Sequence, residues 1–180
     1  MIWGRATPVL HVAPHGNDYL HSGGSSCLLA DSPCQTIEYA VTRNYRHPWA
    51  GDMAGDFVSI AEGTYNETVH AYGARLGAGN WPMLTLRGAG KSTIIAGNGR
   101  ECATVVANLP GVVSLTQLLL TGTAMDCQSS VFAQLGGIIN IYDGVTFGPA
   151  SQQDVHSESA GSQVQFCASQ PRLSASNDPR

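Results

Sequence analysis

The chain is poor in charge. Of its 180 residues, 12% are Asp, Glu, Lys or Arg, about half the share usual in a soluble domain. The 9 Lys and Arg form no run, and the net charge is −4. A phosphate backbone or an anionic bilayer would find no basic stripe here, which excludes nucleic acid and charged membrane surfaces as partners. No stretch approaches the roughly 18 consecutive apolar residues of a membrane span. The five cysteines contain no C-x-x-C to complete a zinc set with the histidines, so no metal site is expected. Met1 to Leu10 have no apolar core of the signal-peptide kind. The expectation is a chain not exported by that route, or a mature or partial one.

What the chain has in abundance is repetition. Gly111-Val-Val-Ser-Leu-Thr-Gln-Leu-Leu-Leu-Thr-Gly122 lies over Gly137-Ile-Ile-Asn-Ile-Tyr-Asp-Gly-Val-Thr-Phe-Gly148 at a shift of 26, glycine on glycine and apolar on apolar. Gly161 to Phe166 continue the pattern. One apolar pair, two residues apart, recurs five times: Val58/Ile60, Leu84/Leu86, Val113/Leu115, Ile139/Ile141 and Val164/Phe166. Looser ladders run through Val69, Ile95, Leu119 and Val145, and through Val105, Val131 and Val155. Three short strands per repeat, each too small to bury its apolar side alone, require neighbours above and below. The fold class is therefore all-β, a coiled parallel solenoid of about four to five coils with strands ~4.8 Å apart. The 21 glycines fit its many tight corners.

Read in order, Leu10 to Ala13 form a short strand, followed by turn residues at Pro14 to Asp18. Ser32-Pro33-Cys34-Gln35 reads as a helix start, with Ser32 as N-cap. Ile37, Ala40 and Val41 give one apolar side at helical spacing, and the helix should end before His47-Pro48. An amphipathic helix over residues 33–45 suits one structural task, covering the open end of the first coil. The division expected is 1–54 for strand, loop and capping helix, 55–167 for the coils, and 168–180 for an irregular tail. Cys27 and Cys34 flank a short loop and have the spacing for a small disulfide, which would imply an oxidising compartment. Cys102 and Cys127 are about one coil apart, either bridged or buried as thiols; Cys167 is left over.

Several segments together resemble a known family. They are Val12-x-x-x-Gly16-Asn17-Asp18, Ser32-Pro-Cys-Gln-Thr-Ile-Glu-Tyr-Ala-Val41, Gly55-Asp56, Glu62-Gly-Thr-Tyr-Asn-Glu67 and Leu84-x-Leu-Arg-Gly-Ala-Gly90 with Thr93-Ile-Ile95. This succession resembles the opening of right-handed parallel β-helix proteins of the pectin-lyase-like superfamily. The Cys-containing cap segment is similar to that of secreted or surface-attached members. The resemblance implies a right-handed coil and an extracellular or cell-surface location. It is nearly silent on activity, because the superfamily holds polysaccharide lyases, esterases, glycosidases, tail spikes, adhesins and members without activity.

Chemistry is sparse in the sequence. Arg87-Gly-Ala-Gly-Lys-Ser-Thr93 lacks the first glycine of a phosphate loop and leads into no helix. The esterases of the superfamily use Asp-Thr-Leu-Tyr and Gly-Arg-Pro-Trp segments, and the lyases Arg-x-Pro-x-x-Arg with an acidic calcium site; none of these occurs. After Arg87 only Lys91 and Arg100 precede Arg172, a thin supply of cations for an enolate-like intermediate. Glycoside hydrolysis needs paired carboxylates, for which Asp126, Asp143, Asp154 and Glu158 are candidates, with His156 as a candidate base. Solvated corner residues are the plainer account of all five. Asn140 and Tyr142 are the candidates for ligand binding. Asn66-Glu-Thr68 is a glycosylation sequon, and Trp3, Trp49, Tyr72 and Trp81 lie outside the core strands. The expectation is a secreted or surface domain that binds polysaccharide or cell-surface glycan, or serves as a structural stalk, with no recognisable catalytic set and no cofactor. The rivals are a lyase or hydrolase with acids assembled across coils, for which calcium would enter only as a lyase ion, and a tail-spike segment, which would be a homotrimer.

Overall fold

The structure is a computed structural model that describes residues 9–19, 27–46, 56–72, 83–99, 103–108, 111–122, 129–148 and 153–167. Asp126, Cys102, Cys127, Trp3, Trp49, Trp81 and the tail 168–180 lie outside these residues. A single strand β1 (Val9–Val12) and one helix α1 (Ile37–Arg46) precede the repeats. Four strand triplets follow: β2 (Asp56–Ile60), β3 (Gly63–Asn66) and β4 (Val69–Tyr72); β5 (Met83–Arg87), β6 (Thr93–Ala96) and β7 (Ala103–Asn108); β8 (Val112–Thr116), β9 (Leu119–Thr121) and β10 (Ser129–Gln134); β11 (Ile138–Ile141), β12 (Thr146–Phe147) and β13 (Gln153–Ser157). β14 (Gln163–Phe166) opens one more turn. Each strand pairs in parallel with its counterpart in the next triplet, giving a six-stranded sheet β1-β2-β5-β8-β11-β14 and two of four, β13-β10-β7-β4 and β12-β9-β6-β3. The fold is a parallel β-solenoid.

The apolar alternation sets which side chains enter the stack. In the six-stranded sheet Leu84, Val113 and Ile139 form one inward file, ending at Val164. Leu86, Leu115 and Ile141 form the next, ending at Phe166. The three middle members of each file are at most 4% exposed. The register of the first coil corrects the sequence expectation. Val58 stacks on Leu86 rather than Leu84, with Leu10 beneath it, and Ile60 stacks on Val12. Alternation fixes only the parity of a strand, because a slip of two residues keeps every side chain on its own side. Here 28 residues separate Val58 from Leu86, whereas 29 separate Leu86 from Leu115 and 26 separate Leu115 from Ile141. Of the looser ladders, Val105–Val131–Val155 stands as expected, and the one through Val69, Ile95, Leu119 and Val145 is corrected. Val69 heads the file Val69–Val105–Val131–Val155, while Ile95 belongs with Tyr65, Leu120 and Phe147. The corner after β3 takes two residues and those after β6 and β9 take more, so no constant period describes all three sheets.

The helix begins later than the sequence suggests, at Ile37. The backbone before it is committed to β1: Cys34 N–H donates to His11 O, Ala13 N–H to Cys34 O, and Asn17 N–H to Pro33 O. Ser32 is thus no N-cap. Thr36 fills that position, its hydroxyl accepting the N–H of Tyr39 at 3.2 Å. Ile37, Ala40 and Val41 are fully buried, and the helix packs on β4, β2 and β1. Cys27 and Cys34 form a disulfide with Cα atoms 5.1 Å apart, both fully buried. His11 N–H donates to Cys27 O, and Val12 bridges Cys34 in parallel. The disulfide loop therefore occupies the edge of β1 that the coils leave open.

Candidate functional site

The ionisable groups concentrate at the cap, where they do structural work. Four N–H groups ahead of and inside the first turn of α1 would lack partners, and two distant carboxylates take them. Asp18 accepts Gln35 N–H at 2.6 Å, Thr36 N–H at 3.2 Å and the Thr36 hydroxyl at 2.7 Å. Glu67 accepts Ile37 N–H at 3.0 Å and Glu38 N–H at 2.8 Å, one through each oxygen. Glu38 in turn accepts the N–H of His70 at 2.8 Å and lies 3.5 Å from its Nδ1. Burial pushes the Glu67 carboxyl above its ordinary value; the two N–H bonds oppose the shift, and the nearby Glu38 and Asp18 charges add to it. Tyr65, 4% exposed, donates to Ala61 O at 3.0 Å. Burial first, and then the Glu67 charge, push its hydroxyl up to about 12. Asp18, Thr36 and Glu67 come from three of the segments that carry the family resemblance. They meet at one junction, and the junction holds the helix rather than a ligand. Gly16 completes it, since a Cβ there would run into the Cys34 carbonyl.

The face open to ligands is the outer side of the six-stranded sheet. Residues between the buried ones align across strands as Phe57–Thr85–Ser114–Asn140–Gln165. Beside them run Ser59–Arg87–Thr116, continued by Tyr142, whose N–H donates to Leu115 O. Ser114 and Thr116, in the middle, are nearly covered at 2% and 6%. Arg87 and Gln165 are exposed and Asn140 and Tyr142 half-buried, so amide, hydroxyl and guanidinium groups frame a shallow floor. At the corner leading to β3 and β6 the surface is concave, about 600 Å³, lined by Phe57, Ser59, Arg87, Lys91 and Gln117 among others.

Among the described candidates, Asp143 and His156 belong to different sheets, while Asp126 and the side chain of Asp154 lie outside the described residues. Asp143 stands exposed on the corner after β11, where its backbone carbonyl accepts Gln117 N–H at 3.4 Å and the Thr116 hydroxyl at 3.2 Å. His156 projects from β13, in a different sheet, with its ring 5.0 Å from that of Phe132. Glu158 is exposed beyond β13, and its N–H pairs with Ala133 O. Asn140 and Tyr142 do share the open face, and Arg87, Lys91 and Gln117 are additions that sequence reading missed. The signal available was the lone Arg87 on a strand otherwise apolar or hydroxylic. In the sequon, Asn66 is exposed while Thr68 is 4% exposed and donates to Ala103 O at 3.1 Å. Among the described residues no group of three or more His, Cys, Asp or Glu is placed to hold a metal ion, and no helix is long and apolar enough to cross a membrane. Compared with family models, curated proteins and solved structures, the chain finds no match in any of the three.

Proposed function

We propose that this chain is a secreted or cell-surface solenoid of the pectin-lyase-like kind that binds carbohydrate on the outer side of its six-stranded sheet and does not turn it over. The observation that carries the reading is the repetition of polar side chains at coil spacing along that face, from Ser59 and Arg87 through Asn140 and Tyr142 to Gln165. Six strands at ~4.8 Å span about 24 Å, enough for a few sugar units. Amides and hydroxyls match sugar hydroxyls, and the Tyr142 ring offers an apolar plane with a polar tip. The Cys27–Cys34 disulfide supports an oxidising compartment. Hydrolysis by paired acids gains no support from the separate sheets of Asp143 and His156.

Titration calorimetry against a set of neutral and acidic oligosaccharides tests this. Binding should be seen, and it should weaken about tenfold or more in Asn140→Ala and Tyr142→Ala. Absence of binding to every sugar would leave a stalk role and end the proposal. A second assay follows unsaturated products and new reducing ends from polysaccharides, with and without calcium. Turnover abolished by Asp143→Asn would install the hydrolase or lyase reading in its place.

A further inference from the structure

We infer that the concave corner beside this face is an anion subsite, which takes the carboxylate or sulfate ester of an acidic saccharide lying along the sheet; it rests on the glycan reading above. The corner gathers donors. Arg87 donates its Nε to the Gln117 side-chain oxygen at 3.2 Å, a contact that orients the guanidinium plane. Lys91 is exposed on the next turn. In a chain with 13 acidic residues, neither cation has an acidic partner among the described residues. The Ser59 hydroxyl and the Gln117 amide add neutral donors to the lining. Carboxylate and sulfate are bound by such a pairing of a planar fork and a mobile point charge. Asp143 and Glu62 are exposed at neighbouring corners; they set the charge at the rim, and neither lines the concavity.

Two further features fit a built subsite. Gln117 has φ 52°, a left-handed conformation that disfavours any residue with a side chain and that glycine would adopt without cost. A strained non-glycine residue whose side chain holds Arg87 is an outlier of the kind that marks a binding surface. Gly90 and Gly144 line the corner and are not buried, so backbone lies open there where a ligand can approach closely. A Cβ at Gly88 would strike the Gln117 carbonyl, which keeps that turn seated against the residue orienting Arg87.

The test uses the full chain and three tetrasaccharides: tetragalacturonate, a sulfated galactan fragment and a neutral galactan fragment. At low salt at least one acidic probe should bind about tenfold tighter than the neutral one, the worth of one charge-assisted contact. Salt should erode that preference. The double variant Arg87→Gln, Lys91→Gln should abolish it, weakening the acidic probe far more than the neutral one, and leave thermal unfolding unchanged. Gln117→Gly should relieve the backbone and raise the melting temperature, yet weaken the acidic probe. Which acidic probe responds tells carboxylate from sulfate. Equal binding of acidic and neutral probes, or an unchanged preference in the double variant, overturns the subsite while the glycan reading stands. Acidic binding that depends on Arg87 and Lys91 but not on Asn140 or Tyr142 keeps the subsite and overturns the extended face. No binding of any probe overturns both.

Discussion

The two ends of the stack carry the same apolar pattern and meet different fates. At the first end Val12, Cys34, Ile37 and Val41 are at most 1% exposed, sealed by a disulfide loop and a helix. At the last, Val164 is only partly buried and Phe166 is 70% exposed, although Phe166 continues the file of Leu86, Leu115 and Ile141. Periodicity assigns a residue to the inward side. Burial comes from the neighbouring coil, and among the described residues no strand follows β14 to cover Val164 and Phe166.

The largest effect should come from breaking the sealed end. Ile37→Asp places a charge in a fully buried position beside the Glu67 carboxylate, and we expect a loss of several kcal/mol, about 3–5, read from urea unfolding. Phe166→Ser at the other end should shift the same midpoint by no more than ~0.5 kcal/mol. A cost for Phe166 comparable to that for Ile37 would mean that something covers the last coil in solution. Leu115→Ala, midway between the ends, should cost about 2–5 kcal/mol, and the contrast with Val164→Ala measures how much each end departs from the interior.

Removing the disulfide by Cys27→Ser with Cys34→Ser should cost roughly 2–3 kcal/mol, as expected for a short loop, with the loss concentrated in amide protection of β1. An unchanged β1 would show that α1 alone seals the edge. The smallest effect is in pH. Glu67 has its folded pKa raised above 4.5 by burial, so the native chain takes up its proton more readily than the unfolded one. Its contribution is fully present below the unfolded pKa and is lost as pH rises through the folded one. Stability measured from mildly acidic to neutral pH should therefore fall for wild type relative to Glu67→Gln. A relative rise would mean that the two helix N–H bonds outweigh burial.

The solenoid was legible because a strand that alternates at Leu84, Leu86, Val113, Leu115, Ile139 and Ile141 has few ways to bury both members of each pair. The first-coil register was not, since Val58 satisfies its parity equally well against Leu84 or Leu86. Ser32-Pro33 looks like a helix start for sound local reasons, but the backbone around Cys34 is drawn into β1, a contact that no local pattern announces. Asp18 and Glu67 were visible as motif residues, and their task was hidden because it joins positions 17 to 30 residues apart. Alternation put Asn140 and Tyr142 on the outer side of the sheet. The Arg87–Gln117 contact was not, because it depends on the left-handed turn at Gln117.

The seal at the first end also bears on how the chain comes off the ribosome. α1 contacts β1, β2 and β4, all complete by Tyr72, so a helix, an edge plug and a first coil can close before the later coils are made. Each new coil then needs only the preceding one as its template, a growth with short contact separations. We predict that synthesis and assembly run in the same direction, with the sealed end as the nucleus. Stalled nascent chains ending shortly after β5 should already protect Ile37 and Val58 from proteolysis, whereas a refolding path that began at β11 would leave them cleavable.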